Sequence, residues 1–185
     1  RHEKEVEAAH SLTQALHIPQ HVVRFKLPWK GSALLERDSK MPQSRDPGKM
    51  PQKIPSTYVP TRNSIFLSFA FSCAEAEKAE AIFFGANALD YSGYPDCRPE
   101  YLEAFSQAMA KGTKAGVEGK KIEVKAPLID LTKKEIVLLG AKLGVPFEKT
   151  WSCYAGGDQP CGVCDSCILR AKGFREAGIP DPLLA

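Results

Sequence analysis

Four of the chain's six cysteines fall within fifteen residues, as Cys153-x7-Cys161-x2-Cys164-x2-Cys167 in "CYAGGDQPCGVCDSC". Gaps of two residues let one turn present neighbouring sulfurs to a single ion, and four thiolates complete a tetrahedron around zinc. Gly156, Gly157 and Gly162 provide the backbone freedom that such a tight loop needs. A disulfide knot, a redox pair and an iron–sulfur cluster draw on the same residue type. The opening "RHEKEVEAAH" is charged and helical in character rather than a secretory signal, so a cytoplasmic location is expected. In that reducing setting clustered thiols serve metal or redox chemistry rather than structural disulfides. The pattern therefore predicts a closed structural zinc site on Cys153, Cys161, Cys164 and Cys167, with an iron–sulfur cluster as the alternative. Four protein ligands leave no open position for catalysis on the metal. Such a site would tie the last helix to the body of the protein, contributing roughly 10 kcal/mol to local folding.

A second group of chemically capable residues lies in "GANALDYSGYPDCRPEY". Asp90, Tyr91, Tyr94, Asp96, Cys97 and Arg98 crowd around Gly93 and Pro95. Carboxylates there can accept from ring N–H and amino groups, and an arginine can clamp a carboxylate or phosphate. The plainer reading is a capped turn, with Asp96 near the start of the next helix. Cys97 has no histidine nearby to activate it and is not expected to act as a nucleophile. In "YVPTRNS", Arg62 and Asn63 stand at a helix start, where backbone N–H groups favour an anion. A simple cap with a solvent-facing arginine is the alternative. Asp130 reads as structural or as approaching a ligand, and the four histidines (His2, His10, His17 and His21) as surface or packing residues.

The elements that must position these groups alternate. Apolar residues at helical spacing from His2 to His17 predict an amphipathic helix ended by Pro19, and "HVVRF" (21–25) predicts a strand. Residues 29–60 read as a long loop, with "MPQSRDPGKMPQKIP" its least ordered part. A helix capped by Asn63 or Ser64 is expected to run to about Lys78. A strand buried on both faces follows at 81–86, then a loop and a helix from Arg98 to about Lys111. Next come a strand at 121–127, a helix capped by Thr132 with Glu135 completing a capping box, and a last helix from Asp165. Such alternation predicts an α/β fold: a Rossmann-like parallel sheet flanked by helices, with ligands at the carboxyl ends of the strands. The expected division is an α/β domain over 1–150 and a zinc-binding segment with its helix over 151–185. A net charge of +3, with 43% hydrophobic and 25% charged residues, is that of an ordinary folded domain and demands no nucleic-acid partner.

Taken in order, "RHEKEVEAA", "YVPTRN", "GANALDYSGYPDCRPEY", "APLIDLTKKEI" and "PCGVCDSC" resemble the 7-cyano-7-deazaguanine synthase family of queuosine biosynthesis essentially from end to end. The resemblance implies an adenine nucleotide α-hydrolase-like fold of the ATP pyrophosphatase group. It also implies conversion of 7-carboxy-7-deazaguanine and ammonia to the 7-cyano base, with ATP and Mg²⁺, through an adenylated carboxylate and an amide. Structural zinc on the four cysteines, a homodimer, and no membrane or nucleic-acid partner are implied as well. In this picture Asp90 and Asp96 meet the polar edge of the deazaguanine, Tyr91 and Tyr94 pack on it, and Arg62 or Arg98, beside Asn63, takes a carboxylate or phosphate. The family's SGGxDS phosphate loop does not occur in these residues, and it is expected ahead of Arg1 in the natural chain. Two rival readings are a zinc-stabilised module that binds a modified base or nucleic acid without catalysis, and a related ATP-dependent amidating or sulfur-inserting enzyme. The first lacks a dense basic patch with interleaved aromatics.

Overall fold

The structure, a computed structural model, describes residues 3–36, 43 and 54–184; the side chains of Leu89, Tyr91 and Ser92 fall outside that description. Most of the 41–55 segment expected to be poorly ordered is likewise outside it. The chain divides into two compact units, one comprising Arg1–Met50, Ser56–Tyr58 and Lys133–Ala185, the other Pro51–Pro55 and Val59–Thr132.

The second unit is a β–α–β arrangement with a helix ahead of it. Helix α2 (Arg62–Ala76) places Leu67, Phe71 and Ala74 on one buried stripe, as their spacing of four and three dictates. The helix does not begin at an Asn63 or Ser64 cap. The chain turns at Thr61, held in the left-handed region with φ of 52°, and Thr61 makes no side-chain capping bond. Strand β1 (Ala81–Phe83) follows, and β2 (Glu123–Lys125) pairs with it in parallel, Ile82 opposite Val124. Between them run α3 (Ala88–Gly93), a 3₁₀ turn (Pro95–Cys97), α4 (Pro99–Gly112) and α5 (Lys114–Val117). Much of the loop expected after β1 is therefore helical. Pro99 opens α4, where a missing N–H costs nothing.

Burial alternates along β2, whereas in β1 Ala81 and Ile82 are both half-buried and only Phe83 is exposed. Partners Ile82 and Val124 are half-buried, whereas Phe83, Glu123 and Lys125 are exposed. The expectation of a strand covered on both faces is thus not met among the described residues: β1 has one covered face, and Phe83 is 72% exposed. Helix α2 packs on β1 and α4 on β2. The two helices meet through Phe71 and Phe105, whose rings are 5.8 Å apart, and through Tyr101, which donates to Ser64 Oγ at 2.6 Å. A two-stranded sheet is marginal by itself, so this helix packing supplies the support.

In the first unit, α1 (Glu3–Ala15) forms where helical spacing predicts it, although it buries no residue completely. The strand expected at 21–25 is absent. Val22, Val23 and Phe25 lie on irregular, exposed backbone, because β-branched residues make a strand only where a neighbouring strand takes their N–H and C=O groups. Parts of the long loop are nonetheless packed: Ser32, Ala33, Leu34 and Thr57 are buried, and the Ala33 N–H donates to Ser56 O at 2.8 Å.

Helices α6 (Lys133–Lys142) and α7 (Asp165–Ala177) form the main packing of this unit. They approach closely at Gly173, where a Cβ would sit 2.9 Å from Lys133 Cβ. Gly178, at φ of 69°, ends α7 in a left-handed turn that lets the Ile179 N–H reach Phe174 O. Beside it Arg170 donates to both oxygens of Asp181 at 2.7 and 2.8 Å, to Thr150 Oγ1 at 2.7 Å and to Phe147 O at 3.3 Å. Among the described residues no helix is long and apolar enough to cross a membrane.

With side-chain exposures of 10% and 5%, Arg170 and Asp181 form a nearly buried pair. Replacing Arg170 by Leu leaves the Asp181 carboxylate buried and unpaired, and should cost about 3–5 kcal/mol of stability. Urea denaturation followed by circular dichroism would show it as a lowered midpoint at an unchanged slope.

Candidate functional site

Two clusters of chemically capable residues emerge, one in each unit. The first is the cysteine loop. A 3₁₀ turn at Phe147–Lys149 leads into Trp151, whose Nε1 donates to Cys153 O at 3.0 Å and orients the first cysteine. Gly156 and Gly162, both at φ of 72°, make the reversals that fold the loop back on itself. Cys164 immediately precedes α7 and Cys167 lies in its first turn, where backbone N–H groups and the helix dipole favour negative charge.

As a result the four sulfurs lie within 4.8 Å of one another. A tetrahedral ion bonded to sulfur at about 2.3 Å places its ligands about 3.8 Å apart, so the cluster has the dimensions of a four-thiolate metal centre. Backbone N–H groups of Ala155 and Cys161 donate to Cys153 Sγ at 3.4 and 3.3 Å, and that of Cys164 to Cys161 Sγ at 3.4 Å. Burial pushes the Cys161 thiol up, but hydrogen bonds from Val163, Cys164 and neighbouring thiols outweigh it and bring the group down to about 7. Burial raises Cys164 and Cys167, so a cation is what would hold all four as thiolates. Cys153, Cys164 and Cys167 are buried, Cys161 is exposed, and Trp151 and Tyr154 pack against the group.

The second cluster sits beyond the carboxyl end of β1. Asp96, in the 3₁₀ turn, accepts from the Asn63 N–H through Oδ2 at 3.0 Å, while Asn63 Nδ2 donates to Cys97 Sγ at 3.1 Å. A carboxylate from a distant segment therefore supplies the cap that Thr61 does not. The anion-favouring start of α2 is thereby engaged within the protein: the Arg62 N–H goes to Val59 O, the Asn63 N–H to Asp96 and the Ile65 N–H to Thr61 O. Asn63 is buried and its side chain is spent on Cys97.

Asp90, half-buried at the start of α3, accepts through Oδ2 from the Asn87 N–H at 3.3 Å and from Asn87 Nδ2. Burial, followed by the charges of Asp90 and Asp96, pushes the Cys97 thiol up to about 12; Arg62 and the Asn63 hydrogen bond oppose that only in part. Asp90, Asp96, Arg62 and Asn63 are thus close enough to act together on one buried sulfur. The Arg62 guanidinium lies 5.9 Å from the centre of the Phe66 ring. Tyr94 is half-buried, Arg98 is exposed at the entry to α4, and the side chain of Tyr91 is outside the described residues. Asp130 is exposed.

Asn87, absent from the residues the sequence points to, is 3% exposed and holds Asp90. The signal available was its spacing of three residues from Asp90, readable only once α3 is known to be a helix. A groove of about 760 Å³ in this unit lies at the amino ends of the strands and is lined by none of the candidate residues. Its Lys120 and Lys121 pair with Glu118 and Glu123, as on an ordinary charged surface.

An α/β unit with an acidic loop beyond its first strand, together with a four-cysteine metal loop, defines the class. The chain matches the family described as queuosine biosynthesis protein QueC over residues 1–178, and it belongs to that family. Relatives named 7-cyano-7-deazaguanine synthase share its sequence closely. That of Trichodesmium erythraeum is 52% identical over 186 residues, covering 100% of this chain and 84% of the relative. That of Nostoc sp. is 55% identical over 185 residues, 99% of this chain and 81% of the relative. The protein of Thermoplasma acidophilum is 50% identical over 183 residues, 99% and 76% of the two chains.

A thiol raised to about 12 stays neutral at pH 8, so Cys97 should resist alkylation there while exposed Cys73 reacts. Peptide mass mapping after iodoacetamide treatment would read this. Labelling of Cys97 at pH 8 as fast as that of Cys73 would contradict it.

Proposed function

We propose that the protein is a 7-cyano-7-deazaguanine synthase, converting 7-carboxy-7-deazaguanine and ammonia to the nitrile at the expense of ATP. The reading is carried by identities of 50–55% to relatives of that name across nearly all of this chain. A carboxylate is a poor electrophile. Transfer of AMP to its oxygen, with pyrophosphate leaving, makes the carbonyl carbon attackable. Ammonia then displaces AMP and loses a proton, giving an amide. A second transfer of AMP to the amide oxygen makes that oxygen a leaving group, and loss of AMP and the nitrogen-bound protons leaves the nitrile. Mg²⁺ bound with ATP would neutralise phosphate charge.

In this proposal the chain's own residues bind and orient. Asp90 and Asp96 take the donor edge of the base, Tyr91 and Tyr94 pack on its faces, and Arg62 or Arg98 pairs with the carboxylate or a phosphate. Cys97, protonated near neutral pH, serves as a buried contact rather than a nucleophile. The metal held by Cys153, Cys161, Cys164 and Cys167 is zinc, coordinatively closed and structural. A cytoplasmic homodimer acting on small molecules completes the reading.

Mass spectrometry on the full-length protein incubated with the carboxylated base, ammonium, ATP and Mg²⁺ should find the 7-cyano product, with AMP and pyrophosphate released at each activation. Base binding without any nitrile would favour a binding module instead. Elemental analysis should give about one zinc per chain, lost in Cys161→Ser along with a lowered melting temperature. An iron–sulfur absorbance in anaerobically purified protein would displace zinc. Arg62→Ala should raise KM for the carboxylated base or for ATP by roughly 10-fold or more, the worth of one charge-assisted contact; unchanged kinetics would remove Arg62 from the site.

A further inference from the structure

Two carboxylates serve the candidate base site, and the structure commits them differently. Asp90 is half-buried, and both hydrogen bonds from Asn87 reach its Oδ2. Asp96 is only 6% exposed. Its Oδ2 holds the Asn63 N–H at 3.0 Å, whereas its Oδ1 is buried and has no hydrogen-bond partner among the described residues. An acceptor removed from water and given no donor carries its desolvation cost without return, and in native proteins such an atom is met by an ordered water, an ion or a ligand, or holds strain at a functional site. Of the described neighbours, the Asn63 amide is engaged with Cys97, and neither it nor the Cys97 thiol makes a hydrogen bond to Oδ1.

We infer that Asp96 Oδ1 accepts an N–H of the bound base and sets the enzyme's preference for a 2-aminopyrimidin-4-one edge; this rests on the synthase reading above. A guanine-type ring offers adjacent donors there, the ring N1–H and the exocyclic amine, and a carboxylate is an acceptor-only partner. An adenine-type ring offers a bare N1 lone pair in the same place, which faces the carboxylate lone pair against lone pair. Asn63 is the positioning residue. Its N–H fixes one carboxylate oxygen and thereby aims the other, while its side chain locks the following Cys97. Asp96 thus caps α2 and reads the ligand at the same time.

Asp96→Asn is the discriminating variant, because the amide oxygen can still accept from the Asn63 N–H while an NH₂ replaces the ligand-facing oxygen. Titration calorimetry on the full-length protein would compare 7-carboxy-7-deazaguanine with 7-carboxy-7-deazaadenine. For wild type, tighter binding of the guanine-type base is expected. In the variant, its Kd should rise about 10- to 150-fold, the range of a lost charge-assisted hydrogen bond, with the adenine-type base unchanged or tighter. Equal weakening of both bases, or no change in either, would overturn the inference while leaving the synthase reading intact. Failure of wild type to bind the guanine-type base would overturn that reading and the inference with it. Should the variant not fold, NMR of the ¹⁵N-labelled base on wild-type protein decides. A bound N–H resonance shifted downfield and protected from exchange supports the inference, and one at the free-base position in fast exchange refutes it.

Discussion

The hydrogen bond from the Asn63 N–H to Asp96 joins residues thirty-three positions apart, and much of the second unit depends on it. Thr61 turns the chain into α2 but leaves the helix start uncapped by its own side chain. A carboxylate brought in by the Pro95–Cys97 turn provides the missing acceptor and complements the helix dipole. Once that bond forms, the register of the Tyr94–Cys97 segment against α2 is set, Asn63 is within reach of Cys97, and α4 leaves from Pro99 in a fixed direction. The packing of Phe71 on Phe105 and of Tyr101 on Ser64 then follows from where the two helices start.

This constraint also explains the electrostatics. Burial of Cys97 itself, followed by the charges of Asp90 and Asp96, holds the thiol neutral, and a neutral sulfur accepts from Asn63 without adding a further negative charge to the site. The site is thus built to present acceptors rather than a nucleophile. That arrangement suits recognition of a base rich in donors, with the chemistry carried by activation of the substrate's own carboxylate.

In the first unit the cysteine loop plays the corresponding organising part. Trp151 and the two left-handed glycines bring Cys153 and Cys161 to the end of α7, whose own start supplies Cys164 and Cys167. Further along the same helix, Gly173 lets α6 approach and Arg170 clamps the tail through Asp181. The start of α7 thus carries two of the thiols, and its middle, at Arg170, holds the chain beyond its end through Asp181.

Several features were legible in the residues themselves. The metal loop was, because ligand spacing of two residues between thiols is a local property that no tertiary context has to create. Helices α1, α4, α6 and α7 were too, lying close to the spans expected from His2, from Arg98, after Thr132 and from Asp165. Other features were decided by tertiary structure. "HVVRF" has the composition of a strand, yet no strand pairs with it among the described residues, and it stays irregular. The strand at 81–83 is apolar enough for two covered faces but has one, since burial depends on what packs there. Asn63 reads as a cap or an anion ligand in sequence, and becomes a buried support only because Asp96 and Cys97, far along the chain, arrive beside it. Local spacing is written in the sequence; which polar atom is satisfied by which, and which is left over, depends on segments that meet only when the chain has folded.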